Sequence, residues 1–198
     1  MLSLETCEER VEMEEPPVLL EFSDVLVPVI QKIVNLSLTT SIVPTLFKEA
    51  VVKPLIKKHN LDPEVLSNYR PVSNLLYLSK ILERVVADQL KAYLDVNELH
   101  VKCQSAYRNG HSTETALLRV LNDLLSMIDG GDAVLLVLLD LSVAFDTIDH
   151  DLLLDRLQNK LGLDSVVLSW FRSYSHDRSQ RVLVDSQMIY CNKCTLHS

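Results

Sequence analysis

Seven consecutive apolar residues, Ala133 to Leu139, stand between the glycine turn Gly130-Gly131-Asp132 and Asp140. A run without alternation offers apolar side chains to both faces, so the sequence predicts a central strand covered on both sides. Such a strand calls for helices packed on a small sheet, an α/β or α+β class. A carboxylate at the end of a buried strand, as Asp140 is expected to be, sits on a rigid rim that suits a hard divalent cation such as Mg²⁺. An Asp in such a place is more often only a polar strand end, and spacing alone does not choose between the two.

Around this run the pattern is largely helical. Residues 1–24 are rich in Glu, contain Pro16-Pro17 and read as a loose tail. From an N-cap at Ser23 or Asp24, Val25, Leu26, Val29, Ile30, Ile33 and Val34 recur at helical spacing, with Pro28 in the first turn. Ala50 to Ile56 is a short β-rich run that Pro54 demotes to an edge strand or a strand end. Lys57 to Pro71 reads as a loop and is followed by a long helix through Leu78, Leu82, Val86 and Leu90. Ser112 caps another helix, with Glu114 in its first turn and an apolar face from Ala116 to Ile128. After the predicted strand come a helix through Leu154 and Leu157 stopped at Gly162, a short helix capped by Ser165, and a last strand at Arg181 to Val184.

The net charge of −8 argues against nucleic acid only in part. Residues 1–24 hold seven Glu, Asp24 and a single Arg, which is −7 and leaves −1 for the other 174 residues. Four cysteines are too few and too scattered for a disulfide scaffold, which favours a reducing compartment. The acidic N-terminus lacks a signal's apolar region, and the longest apolar run falls far short of the roughly 20 residues that span a bilayer. The expectation is a soluble, intracellular protein with no membrane partner, nucleus and cytoplasm unresolved.

Several blocks carry a family resemblance. Asp140-Leu-Ser-Val-Ala-Phe145-Asp146, with Thr147-Ile148-Asp149-His150 after it, resembles motif A of reverse transcriptases of the LINE type, those of non-LTR retrotransposons. Phe47 to Lys58 resembles the segment leading into the fingers, Asn68-Tyr69-Arg70-Pro71-Val72-Ser73-Asn74 resembles motif 1, and Gln104-Ser105-Ala106-Tyr107-Arg108 with His111 to Ala116 resembles motif 2. Leu168 to Tyr174 and Asp177-Arg178-Ser179 are similar to the helix and strand that come after motif A. The blocks keep the family's order over residues 25–185, which divides the chain into a tail at 1–24, a partial reverse transcriptase domain at 25–185 and an unrelated tail at 186–198.

The resemblance implies a partial polymerase right hand, with helix-rich fingers and an incomplete palm sheet. It implies roles for single residues as well. Asp140 would be one of three carboxylates that hold a Mg²⁺ pair, which activates the primer hydroxyl and stabilises the leaving pyrophosphate. Phe145 takes the position that crowds a ribose 2′-hydroxyl. Lys58 and Arg70 contact the incoming triphosphate, while Gln104 and Arg108 position the template. Ala106 stands where the family has glycine, which strains the backbone if φ is positive there. RNA template, DNA primer and deoxynucleotides are the family's partners.

The other two carboxylates belong to a Phe/Tyr-x-Asp-Asp turn downstream of a Gly-x-Pro-Gln-Gly block, and this sequence contains neither. Asp146 reads as the cap of the next helix and Asp149 and Asp151 as charges of its first turn, so none of them replaces these carboxylates. The strand at Arg181 to Val184 lacks its hairpin partner and leaves an open edge. Cys191-x-x-Cys194-x-x-His197 has three zinc-ligand types and no fourth, so it is not read as a zinc site. The expectation is a truncated reverse transcriptase domain that does not polymerise, does not hold Mg²⁺ productively and binds nucleic acid weakly if at all. A domesticated nucleic-acid-binding or protein-interaction module is the rival reading, distinguished by salt-sensitive binding. A non-functional relic is a third, distinguished by the lack of a cooperative melt.

Overall fold

The computed structural model describes residues 22–140, 147–184 and 187–191. Among these are five helices, α1 (Ser23–Thr40), α2 (Tyr77–Val96), α3 (Thr113–Asp129), α4 (His150–Asn159) and α5 (Ser165–Ser175). Four strands, β1 (Glu49–Ile56), β2 (Tyr69–Asn74), β3 (Ser179–Val184) and β4 (Gln187–Cys191), form one sheet in the order β2-β1-β3-β4. This mixture of helices with a small sheet is the α/β class read from the sequence. The chain divides into two compact units, residues 1–90 with 148–198, and residues 91–147.

The first unit is built around an apolar cluster of Val34, Leu38, Val43, Phe47, Ile81, Leu82, Val85, Val86 and Trp170. In α1 the buried positions Val34, Ser37 and Leu38 lie three and four residues apart, as one helical face demands. Ser37 is polar yet buried because its hydroxyl donates to Ile42 O at 2.7 Å and accepts from Trp170 Nε1 at 3.1 Å. The helix ends with Ser41 at φ +55, its N–H bonded to Leu38 O, while Ile42 N–H reaches back to Ser37 O. Its start differs from expectation. Phe22 occupies the N-cap position without a side-chain bond, and Ser23 and Asp24 are already helical, so Pro28 lies inside the helix.

The sheet corrects three expectations. First, β1 is interior: it pairs antiparallel with β2 and parallel with β3. Lys57 N–H donates to Asn68 O at 2.8 Å, and hydrogen-bonded pairs alternate along such a ladder, so the opposed Pro54 and Pro71 form a non-hydrogen-bonded pair. The missing Pro54 donor therefore faces the β3 side, where the ladder has already stopped at Val52–Val182. Second, the loop expected over Lys57 to Pro71 ends early: the turn Leu66–Asn68 leads directly into β2, which already holds Tyr69, Arg70 and Pro71. Third, β3 has its hairpin partner, because Gln180 to Val184 pair with Cys191 to Gln187 of β4, which covers the edge expected to stay open.

In the second unit α3 begins as predicted. The Ser112 hydroxyl accepts from Thr115 N–H at 3.2 Å, and Ser112 N–H donates to Thr115 Oγ1 at 2.8 Å. The α3 apolar face is not buried, however, and Leu117, Leu121 and Leu125 are all at least half exposed. Nor does 133–139 form a strand: the residues are unpaired, and Leu139 is 90% exposed. An all-apolar strand persists only where neighbours cover its edges and faces, and the described residues of this unit contain no other strand to pair with it. Back in the first unit, α4 and α5 are capped by Asp149 and Asp164, whose carboxylates accept from Leu152 N–H and Val167 N–H at 2.8 and 2.9 Å. The predicted cap Ser165 is thus the first helical residue of α5.

Candidate nucleotide-facing site

The β1–β2 hairpin carries the basic residues of the first unit's candidate site. Side chains alternate across a strand, and the register places Lys53 and Leu55 on one face with Val72 and Arg70. Arg70 stands opposite Leu55 and diagonal to Lys53, Lys57 follows the last residue of β1, and all three cations are exposed. Lys58 lies just past the end of β1, exposed, in the bend that opens the connection to β2. That connection is closed by its own bonds: Lys57 Nζ to Ser67 O at 2.7 Å, Asn68 Nδ2 to Asp62 O at 2.9 Å, and Tyr69 Oη to Pro63 O at 3.0 Å. On the same sheet face Arg181 of β3 pairs with Glu49 of β1.

Gln104 and Arg108 belong to the second unit, in the loop between α2 and α3. Gln104 Nε2 donates to Ala106 O at 3.3 Å, and Arg119 of α3 fixes the start of the loop through Lys102 O at 3.2 Å. Positive φ falls on Tyr107, at +60, and not on Ala106. The strain foreseen at Ala106 is therefore displaced by one residue, at a cost of about 1–2 kcal/mol for a side chain other than glycine. Asp140 is also in the second unit, exposed and on no strand, so the rigid sheet rim expected for it is not formed. Phe145 and Asp146 lie outside the described residues, as do Cys194 and His197.

The structure thus brings Arg70 and Lys58 to one hairpin and places Gln104 and Arg108 on one loop. Among the described residues no three His, Cys, Asp or Glu side chains are grouped to hold a metal ion. Asp140 would supply one oxygen ligand of a Mg²⁺ site, and the described residues gather no group of three ligating side chains around it.

Two features are not evident from the sequence pattern. Lys53 stands out only once β2 is seen to pair with β1, when its place opposite Val72 puts it on the same face as Arg70. The other is a half-buried network. Tyr174 Oη donates to Glu83 Oε1 at 2.8 Å, its ring stacks on Trp170 at 5.5 Å, and the Arg178 guanidinium lies 4.7 Å above it. Burial, then the charge of Glu83, then the bond donated to it push the Tyr174 hydroxyl up to about 12. No short sequence spacing announces a contact between residues 83 and 174.

Comparison with known proteins fixes the class. The family described as "Reverse transcriptase (RNA-dependent DNA polymerase)" matches residues 56–194, more than half of the chain. The chain belongs to the reverse transcriptase family. It is 29% identical over 152 residues to the probable RNA-directed DNA polymerase from transposon BS of Drosophila melanogaster, covering 77% of this chain and 16% of that protein. It is also 29% identical over 153 residues to the RNA-directed DNA polymerase from mobile element jockey of the same species, with the same coverage. A third relative, the jockey polymerase of Drosophila funebris, is 31% identical over 107 residues, 54% of this chain and 12% of that one. These relatives agree with the LINE-type resemblance, and the chain spans about one sixth of the length of the first two.

Proposed function

We propose that the chain is the fingers and the beginning of the palm of a LINE-type RNA-directed DNA polymerase, and that these 198 residues do not polymerise by themselves. The observation that carries this reading is the ordered family match across residues 56–194, within which Lys58 and Arg70 fall on one hairpin. In this reading Lys58 and Arg70 receive the triphosphate of a deoxynucleotide, as a point charge and as a bidentate fork. Gln104 and Arg108 position an RNA template, Phe145 crowds the ribose 2′ position, and Asp140 is one ligand of a Mg²⁺ pair. One carboxylate does not hold two metals, and the sequence has no Asp-Asp pair to supply the others.

A titration of the chain with a deoxynucleoside triphosphate, followed by amide NMR, tests the nucleotide-facing role. Shifts centred on Lys58 and Arg70 that fade with added salt are expected. Saturating nucleotide without a shift at either residue overturns it.

A second reading, a non-catalytic nucleic-acid-binding module, is favoured by one observation, the common exposed face of Lys53 and Arg70. It requires binding that falls steeply with salt. For Arg70→Ala it predicts weaker binding to every sequence and a salt slope smaller by about one unit. Binding that ignores salt and Arg70 removes this reading.

A further inference from the structure

The geometry points to Tyr107 as a stacking platform for an unpaired base of a nucleic-acid strand, an assignment that rests on the polymerase reading above. Four described residues other than glycine have positive φ: Ser41, Glu98, Tyr107 and Asp177. Ser41 and Glu98 terminate α1 and α2, where a left-handed residue closes the last helical turn, and Asp177 is a short polar residue of a kind that tolerates the conformation. Tyr107 has neither excuse. Its bulky side chain is held in an unfavourable backbone state while 77% exposed, so burial of the ring does not offset the strain.

The surrounding loop fixes that state. Gln104 N–H bonds Val101 O at 3.0 Å, Gln104 Nε2 bonds Ala106 O at 3.3 Å, and His111 N–H bonds Arg108 O at 3.3 Å. Arg119 holds Lys102 O on one side, and the Ser112–Thr115 capping box holds the other. The ring is therefore presented from a pinned turn.

Its neighbours in sequence decide the ligand. Gln104, Ser105, Arg108, Asn109 and His111 are polar, and an apolar protein surface seated over the ring would desolvate them. A nucleotide matches both chemistries: the base offers a π-face to the tyrosine, and its phosphates meet Lys102, exposed, and Arg108, half-buried. Stacking of this kind tolerates any base, so the platform contributes grip and alignment without reading sequence.

The test is photo-crosslinking of the whole chain to a single-stranded RNA containing 5-iodouridine, with adducts mapped by peptide mass spectrometry. An adduct on Tyr107 is expected. Tyr107→Phe keeps crosslinking at position 107, and Tyr107→Leu lowers strand binding about tenfold while leaving a cooperative circular-dichroism melt unchanged. Adducts elsewhere with none at Tyr107, or equal binding by the Leu variant, overturn the platform and leave the polymerase reading standing. A cooperatively folded chain that gives no adduct at any residue overturns the platform as well, while the polymerase reading stands or falls separately on the nucleotide titration.

Discussion

Trp170 shows how much a single side chain contributes to the first unit. It is 1% exposed, packs in the apolar cluster, and spends its only polar atom on Ser37 Oγ. Trp170→Ala should lower unfolding stability by about 3–5 kcal/mol in a denaturant titration, through lost burial and the cavity left behind. Tyr174 makes a pH-dependent contribution of known sign. Its hydroxyl is raised to about 12 from the ordinary 10, so the folded state holds the proton more tightly than the unfolded chain. The resulting stability is complete below pH 10 and is lost as pH rises from 10 through 12. Melting temperatures across that range should fall more steeply for the parent protein than for Tyr174→Phe, and parallel curves would contradict the assignment. Such contacts are not legible in the sequence, because they join residues about ninety or more positions apart. The closeness of Lys58 and Arg70 needs no such long-range contact, because the β1–β2 hairpin carries both.

At the scale of elements, local signals read true where local chemistry decides and mislead where tertiary partners decide. Ser112 and Glu114 announce α3, and the capping box is present. The Ser112 hydroxyl bond, followed by the residue's own backbone N–H, holds the Glu114 carboxyl below the usual range. Ser112→Ala should cost about 1 kcal/mol and reduce helicity in far-ultraviolet circular dichroism. The run at 133–139 fails for the opposite reason: its pattern states what the segment needs on both faces, and pairing strands are absent from the described part of its unit. Pro54 misleads in a subtler way. It does stop a ladder, but only the one toward β3, and the antiparallel register opposite Pro71 leaves β1 free to be interior. The strand β4 goes unannounced because the motif blocks legible in the sequence end at residue 185, whereas the family match runs on to residue 194 and Gln187–Cys191 pairs antiparallel with β3.

For the molecule as a whole, family membership and catalytic competence are separate questions. The match over residues 56–194 fixes the first. The second depends on carboxylates brought to one place, and the described residues hold no such group. The charge distribution agrees with a polymerase relationship once the N-terminal acidic segment is set apart from the nearly neutral remainder. Primer extension by the 198-residue chain, on an RNA template with Mg²⁺ and deoxynucleotides, decides whether the chain is catalytically incomplete. No template-dependent product is predicted, and Asp140→Asn should be indistinguishable from the parent. Extension that requires the template and disappears in Asp140→Asn would contradict it.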